Sequence, residues 1–430
     1  MGESPNGAAQ DVWSPAARFG FRLAFAYLIL YNFPFPLYYI PGAYRVLSWH
    51  QPLLHKVVPW VGSHVLRLKT PITNFSYGSG DKTYDYVLML CFVVTALAVA
   101  LVWSLADRRR ANYESMYGWL RIYVRFVLGT ALVGYGGAKL FPSQFPRPAF
   151  FTLTEPFGQA SPMGLLWTFM GISRPYSFFA GAAEFVSGVL LFVPWTEILG
   201  ALLAATVMVN VVALNFCYDV AVKLYSLHLL LMCLFVGWPG IAKIFSLLVL
   251  KRGAEPPTNA PLFRRTTWNK AFVAIQVVFG LFVAGTSLDN VRKQTAQAQN
   301  STYGLPFSGF WAVDDFEVDG TASTNFSSEV PQWNQFVMDS PYVILVQGKG
   351  GFRQLYHWST DADKKSLTLS RADNGADVVL GVDRPTPDTL ILKGPWHSHA
   401  LEVHLHRAET PTFPLMTRGF HWISEFPFNR

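Results

Sequence analysis

The stretch Asn215–Phe235, NFCYDVAVKLYSLHLLLMCLF, decides how the chain is read. It passes from polar residues into an apolar run and sets Asp219, Lys223 and His228 at the threshold. Continued to residue 248, the run is long enough to cross a hydrocarbon layer as a helix. Ionisable side chains at the mouth of such a span call for a partner or a polar hollow, because an unpaired charge in lipid costs several kcal/mol.

The same pattern recurs along the chain. Apolar runs near spanning length fall at about 18–40, 84–105, 117–138, 176–194, 197–214, 223–248 and 270–288, which makes seven expected transmembrane helices. Composition agrees: of 430 residues 51% are hydrophobic and 14% charged, more apolar than a water-soluble chain of this size. The net charge of +7 is uneven, with residues 309–430 at −5 and residues 1–308 at +12. Those cations sit in short segments flanking apolar runs, which argues for membrane orientation and against nucleic acid as a partner.

Orientation follows from the same cations. The DRRR cluster at 107–110 and the KR and RR pairs at 251–252 and 264–265 mark cytoplasmic loops. An even number of spans separates them, so the amino terminus is expected in the cytoplasm, loops 41–83, 139–175 and 215–222 outside, and everything beyond residue 288 extracytoplasmic. The first run lacks a small-residue cleavage site and reads as a retained span of a cell-membrane protein, the inner membrane if bacterial. Loop 41–83 and the segment PMGLLWTFMG within 139–175 read as pieces lying in the outer interface. Cys91, Cys217 and Cys233 are scattered and form no thiol or metal motif.

This topology gives the polar groups depths. Lys139 ends the third span, and Glu184 lies roughly 12 Å down the fourth at helical rise. Asn210 and Asn215 approach the outer end of the fifth span, Asp219 and Lys223 stand at the mouth of the sixth, and His228 lies deeper. Glu184 should point into the bundle, with Lys139 or Lys223 as its partner. Lys223 and His228, five apart, do not share a helix face, whereas Asp219 and Lys223 would if the helix began early enough. An acid, an ammonium and an imidazole walled by Tyr135, Trp167, Tyr176 and Tyr225 would suit the head of a membrane-soluble quinone, which needs hydrogen-bond donors and a proton carrier. Lipid headgroups or a carried apolar substrate fit the same residues. Snorkelling and interfacial anchoring are the ordinary explanation for Lys139, Asp219 and Lys223, and an interhelical hydrogen bond for His228.

GYGGAKLF at 134–141 and FFAGAAEFVSGVLLFVPWTEILGALLA at 178–204 resemble the DoxX family of four-helix membrane proteins over about 117–240. The matching positions are Gly136, Lys139, Leu140 and Phe141, then Gly181, Glu184, Gly188 and Leu190. The resemblance implies a four-helix core, at 117–248 here, and quinone-linked electron transfer. Three further spans and a carboxy-terminal domain depart from it. A helical membrane domain followed by an outer β-rich domain is also similar in architecture to vitamin K-dependent carboxylases, with no motif to map their lysine onto Lys223.

After a polar linker at 289–308 the pattern changes to short alternating runs such as YVILVQG, ADVVLGV and ALEVHLHR, broken by Asp-Gly, Gly-Gly and Asn-Gly. About eight antiparallel strands in a barrel or sandwich are expected over 309–430. The opening GFW at Gly309–Trp311 resembles the start of lipocalin-like barrels. Glu402, His404 and His406 alternate onto one strand face and offer a weak zinc or copper set, with an ordinary solvent-facing strand as the plainer reading.

Catalytic roles therefore fall to Glu184, Lys223 and His228, and substrate contacts to Lys139, Asn215, Asp219, Tyr135 and Tyr225. No haem, flavin or cluster motif is present, so electrons would have to come through a partner subunit. The alternative is a non-catalytic scaffold, assembly factor or carrier whose outer β domain recruits a protein partner.

Overall fold

The computed structural model describes residues 12–75, 79–253, 262–303, 305–322, 330–371, 376–419 and 422. They form two compact units, Met1–Phe141 with Pro175–Asn290, and Pro142–Arg174 with Val291–Arg430.

Helices lead the chain order: α1 Pro15–Asn32, α2 Ala43–Leu47, α3 His50–Trp60, α4 Thr83–Ala106, α5 Glu114–Leu140, α6 Phe150–Leu153, α7 Pro162–Ile172, α8 Arg174–Phe192, α9 Glu197–Cys217, α10 Lys223–Leu248 and α11 Thr266–Tyr303. Five of them, α4, α8, α9, α10 and α11, are long and apolar enough to cross a membrane. Helices α1 and α5 occupy the other two apolar runs. Ser14 caps α1 by accepting from Ala17 N at 3.1 Å, with Pro15 at the first turn. That helix stops at Asn32, short of residue 40, because Pro34 and Pro36 follow and cannot donate to a continuing ladder. In α5 two charged residues, Arg125 and Lys139, sit among apolar ones and are buried in the bundle.

Glycine sets the crossing of α5 and α8 in the first unit. A Cβ on Gly136 of α5 would stand 2.5 Å from Phe185 N of α8, and one on Gly181 would stand 2.7 Å from Lys139 Cβ. Only glycine lets the two backbones touch there. The helix ends gather at two poles. At one, Arg22 of α1 donates to Ser104 Oγ, Asp107 O and Tyr113 Oη at 2.7 Å each. At the other, Gly80 N donates to Ala221 O at 2.7 Å, joining the approach to α4 with the α9–α10 turn.

The polar stretch expected as a linker is helical instead: α11 runs unbroken to Tyr303. Lys, Gln and Ala between 289 and 300 are good helix formers, and nothing there breaks the ladder.

In the second unit an eight-stranded antiparallel barrel follows: β1 Gly309–Val318, a two-residue spur β2 Thr321–Ala322, β3 Trp333–Met338, β4 Val343–Gly348, β5 Arg353–Thr360, β6 Ser366–Arg371, β7 Val378–Thr386, β8 Thr389–Trp396 and β9 His399–Ala408. Each strand from β3 pairs with the next, and β9 closes on β1 from Phe310↔Ala408 to Val318↔Leu401, which removes both sheet edges. Asp319 and Gly320 turn β1 into β2 with φ of 55° and 74°, as a type I′ turn needs. The Asn374–Gly375 pair read as a turn lies outside the described residues. In the GFW motif Gly309 takes φ of 128°, and Trp311 is fully buried, donating to Phe307 O at 2.8 Å beneath the Arg407 guanidinium. Leu401, Val403 and Leu405 point inward to a core with Trp333, Phe336 and Ile344, as alternation along β9 predicts.

Loop 142–174 groups with this barrel. Phe150 of α6 packs edge-on against Phe310 at 4.3 Å, in a cluster with Val337 and Leu345 on the outside of the barrel wall. Phe150 N donates to Asp339 Oδ2, and Arg353 donates to Phe151 O. Burial holds the Asp339 carboxyl above its ordinary value, against the pull of that amide.

Candidate functional site

Lys139 and Glu184 face each other across the glycine crossing. Lys139 Nζ lies 2.7 Å from Glu184 Oε2, and the residues are 8% and 3% exposed. Of the two partners open to Glu184 in the sequence, Lys139 is the one chosen. The contact at Gly136 and Gly181 puts α5 against α8, while α10 carries Lys223 to the pole.

Tyr135, one turn before Lys139, lies with its ring 5.7 Å from the ammonium and 6.1 Å from the Tyr225 ring of α10. It is 41% exposed on the bundle surface, so the sealed ion pair adjoins a face open to whatever surrounds the helices. Asn215 is buried at the end of α9, and its Nδ2 donor has no acceptor. Trp167, expected as a wall, instead meets Phe145 edge-on at 5.2 Å within the second unit.

Lys223 is held elsewhere. Helix α10 begins at Lys223 itself, so Asp219 precedes it with φ of 50° and is not on its face, yet their side chains pair at 2.7 Å. Asp81, which no motif marks in the chain, caps the helix: its two oxygens accept from Lys223 N and Leu224 N at 2.9 Å each. Lys223 Nζ lies 3.8 Å from the same carboxylate. Lys223 therefore serves the cap and does not reach into a pocket with Glu184, which corrects its assignment as a group of the same pocket.

His228 forms a third arrangement. Nδ1 donates to Leu224 O at 2.7 Å, which leaves Nε2 to accept from Tyr27 Oη at 2.6 Å, and Tyr31 stacks on the ring at 4.1 Å. The expected single pocket is thus resolved into an ion pair, a capped mouth and a histidine stack, with aromatic rings between.

A second buried cluster escaped the sequence reading. Arg121 and Arg125 of α5 both bond Glu197, the first residue of α9: Arg121 at 2.9 Å to Oε1, Arg125 to Oε2. Arg125 also donates to Gln276 of α11, and Arg121 to Val236 O at 3.2 Å. In the sequence the two arginines look like flanking cations. Their spacing of four, with an acid opening a later helix, is the signal that was present.

On the barrel, His404 Nε2 pairs with Glu402 at 2.7 Å, while His406 Nδ1 turns to Asp314 at 2.6 Å. Lys393 and His404 hold the Glu402 carboxyl below its ordinary value. Among the described residues no group of three ligand-type side chains could hold a metal.

No family model matches the chain, and no solved structure matches it either. Over 132 residues it is 33% identical to the uncharacterized protein YwoB of Bacillus subtilis (strain 168), covering 30% of this chain and 80% of that protein. Over that stretch the chain belongs to the same family as YwoB.

Proposed function

We propose that the chain crosses a cell membrane seven times, with a cytoplasmic amino terminus and an outer barrel. We further propose that the Lys139–Glu184 pair with Tyr135, Tyr225 and Asn215 receives the head of a quinone-like molecule. Parity supports the topology: loop 142–174 packs with the barrel, and four helices, α8 to α11, separate them, so both fall on one side if all four cross. The positive clusters on the opposite loops support the outside for that side.

One observation carries the substrate reading: a sealed ammonium–carboxylate pair beside a surface-exposed tyrosine, where α5 meets α8, a helix long and apolar enough to cross a membrane. An ion pair in lipid is costly to keep and adds little to stability compared with apolar packing, so its presence points to use. Lys139 and Tyr135 would donate to a ring oxygen and Glu184 would pass protons, while the apolar tail stays in lipid. Reducing a quinone takes two electrons and two protons; these residues supply protons, and a redox-active partner subunit must supply the electrons. His228, bonded to Tyr27, would relay protons from the pole.

Titration of the purified protein with a short-tailed quinone analogue tests this. Binding should be saturable and should fall at least roughly tenfold in Glu184→Gln and Lys139→Met, the loss of a charge-assisted bond. Unchanged binding in both variants, each shown to be folded, removes the reading.

The alternative, a scaffold or carrier, is favoured by the barrel and loop 142–174 forming one unit of their own. Cross-linking in native membranes should then trap one partner on the barrel; trapping only on the helices counts against it.

A further inference from the structure

The Arg121, Arg125 and Glu197 cluster does not balance its charge. Two guanidiniums share one carboxylate, and both carboxylate oxygens are used. The remaining acceptors are neutral, Gln276 Oε1 and Val236 O. Helical rise puts Arg121 and Arg125 roughly 10 and 16 Å along α5 from its start at Glu114. Arg125 is 1% exposed, and its side chain keeps 2% of its free area against 13% for Arg121.

A second observation points the same way. The Nε–H of Arg121 and that of Arg125 are both buried without an acceptor. A guanidinium has five donors in a planar fork, and buried donors are nearly always matched. Net positive charge and two orphan donors together specify the missing component: an oxyanion whose oxygens take more than one N–H. Arg121, the more exposed of the two, is the side of approach, at the pole where α5 and α9 begin.

We infer that Arg121 and Arg125 bind a phosphate-type oxyanion, the headgroup of an anionic lipid or free phosphate, as the counter-charge that Glu197 alone does not supply. The site is separate from the Lys139–Glu184 pair and independent of the quinone reading. It makes occupancy by an anion part of how α5, α9, α10 and α11 are held together.

The test uses the full-length protein in nanodiscs of phosphatidylcholine, with or without phosphatidylglycerol, followed by native mass spectrometry of retained lipid and by thermal unfolding. Wild type should retain phosphatidylglycerol over phosphatidylcholine by roughly tenfold and unfold at a higher temperature with it, the order expected of a charge-assisted bond. Arg121→Gln leaves a neutral Arg125–Glu197 pair, so it should lose the preference while unfolding no earlier than wild type in phosphatidylcholine alone. Arg121→Lys should keep part of the preference, and Arg109→Gln, an exposed cation at the same pole, should keep all of it. If inorganic phosphate instead raises the unfolding temperature of wild type and not of Arg121→Gln, the ligand is the soluble ion. The inference is overturned if neither phosphatidylglycerol nor phosphate distinguishes wild type from Arg121→Gln, or if Arg109→Gln loses as much as Arg121→Gln.

Discussion

Lys139 Nζ stands 2.7 Å from Glu184 Oε2 with both side chains nearly sealed, and the helices that carry them touch through Gly136 and Gly181. The pair and the glycines form one device: the backbone contact places the charges, and the charges satisfy each other where water is absent.

Removing one partner alone should be worse than removing both. Lys139→Met leaves the Glu184 carboxylate buried without its cation and should cost about 3–5 kcal/mol, whereas adding Glu184→Met, also measured alone, should recover most of that. Thermal unfolding in detergent, read as a double-mutant cycle, measures the coupling.

The crossing itself can be tested without touching a charge. A Cβ at position 181 would sit 2.7 Å from Lys139 Cβ, so Gly181→Ala must part α5 from α8. Destabilisation by about 1–3 kcal/mol is expected, the usual cost of overpacking, together with loss of any quinone binding in the titration above.

His228 holds two bonds, to Leu224 O and Tyr27 Oη. His228→Phe keeps the stack on Tyr31 but strands the Tyr27 hydroxyl, and should cost about 1–3 kcal/mol. Tyr27→Phe in addition should add little further loss, because the stranded group is gone. Melting curves of the two variants and the double variant decide it.

Acid should weaken one corner of the barrel through Asp319. His399 and the Ala400 amide bond its carboxylate at 2.7 and 2.8 Å and hold its pKa below the ordinary 3.8. A carboxyl lowered in the folded state stabilises above its unfolded value and ceases to as pH falls through the lowered one. Asp319→Asn should therefore be less stable than wild type at neutral pH, and the gap should close on acidification, as measured by thermal unfolding across pH.

The sequence sets where most of the helices and strands lie, because hydropathy and period are local properties of the chain. Seven apolar runs became α1, α4, α5 and α8 to α11, and the alternating third became a barrel with Leu401, Val403 and Leu405 inside. It also determined that Glu184 needs a partner, since the cost of a lone carboxylate in an apolar helix does not depend on its neighbours. Which neighbours those are is a property of the folded protein alone. Lys139 over Lys223, Asp81 as the cap of α10, two arginines on Glu197 and loop 142–174 against the barrel wall all join residues tens to hundreds of positions apart. Such pairings depend on the rotation of each helix about its axis and on how closely backbones approach. Both are fixed by packing, at places such as Gly136 and Gly181, and neither leaves a periodic trace in the chain.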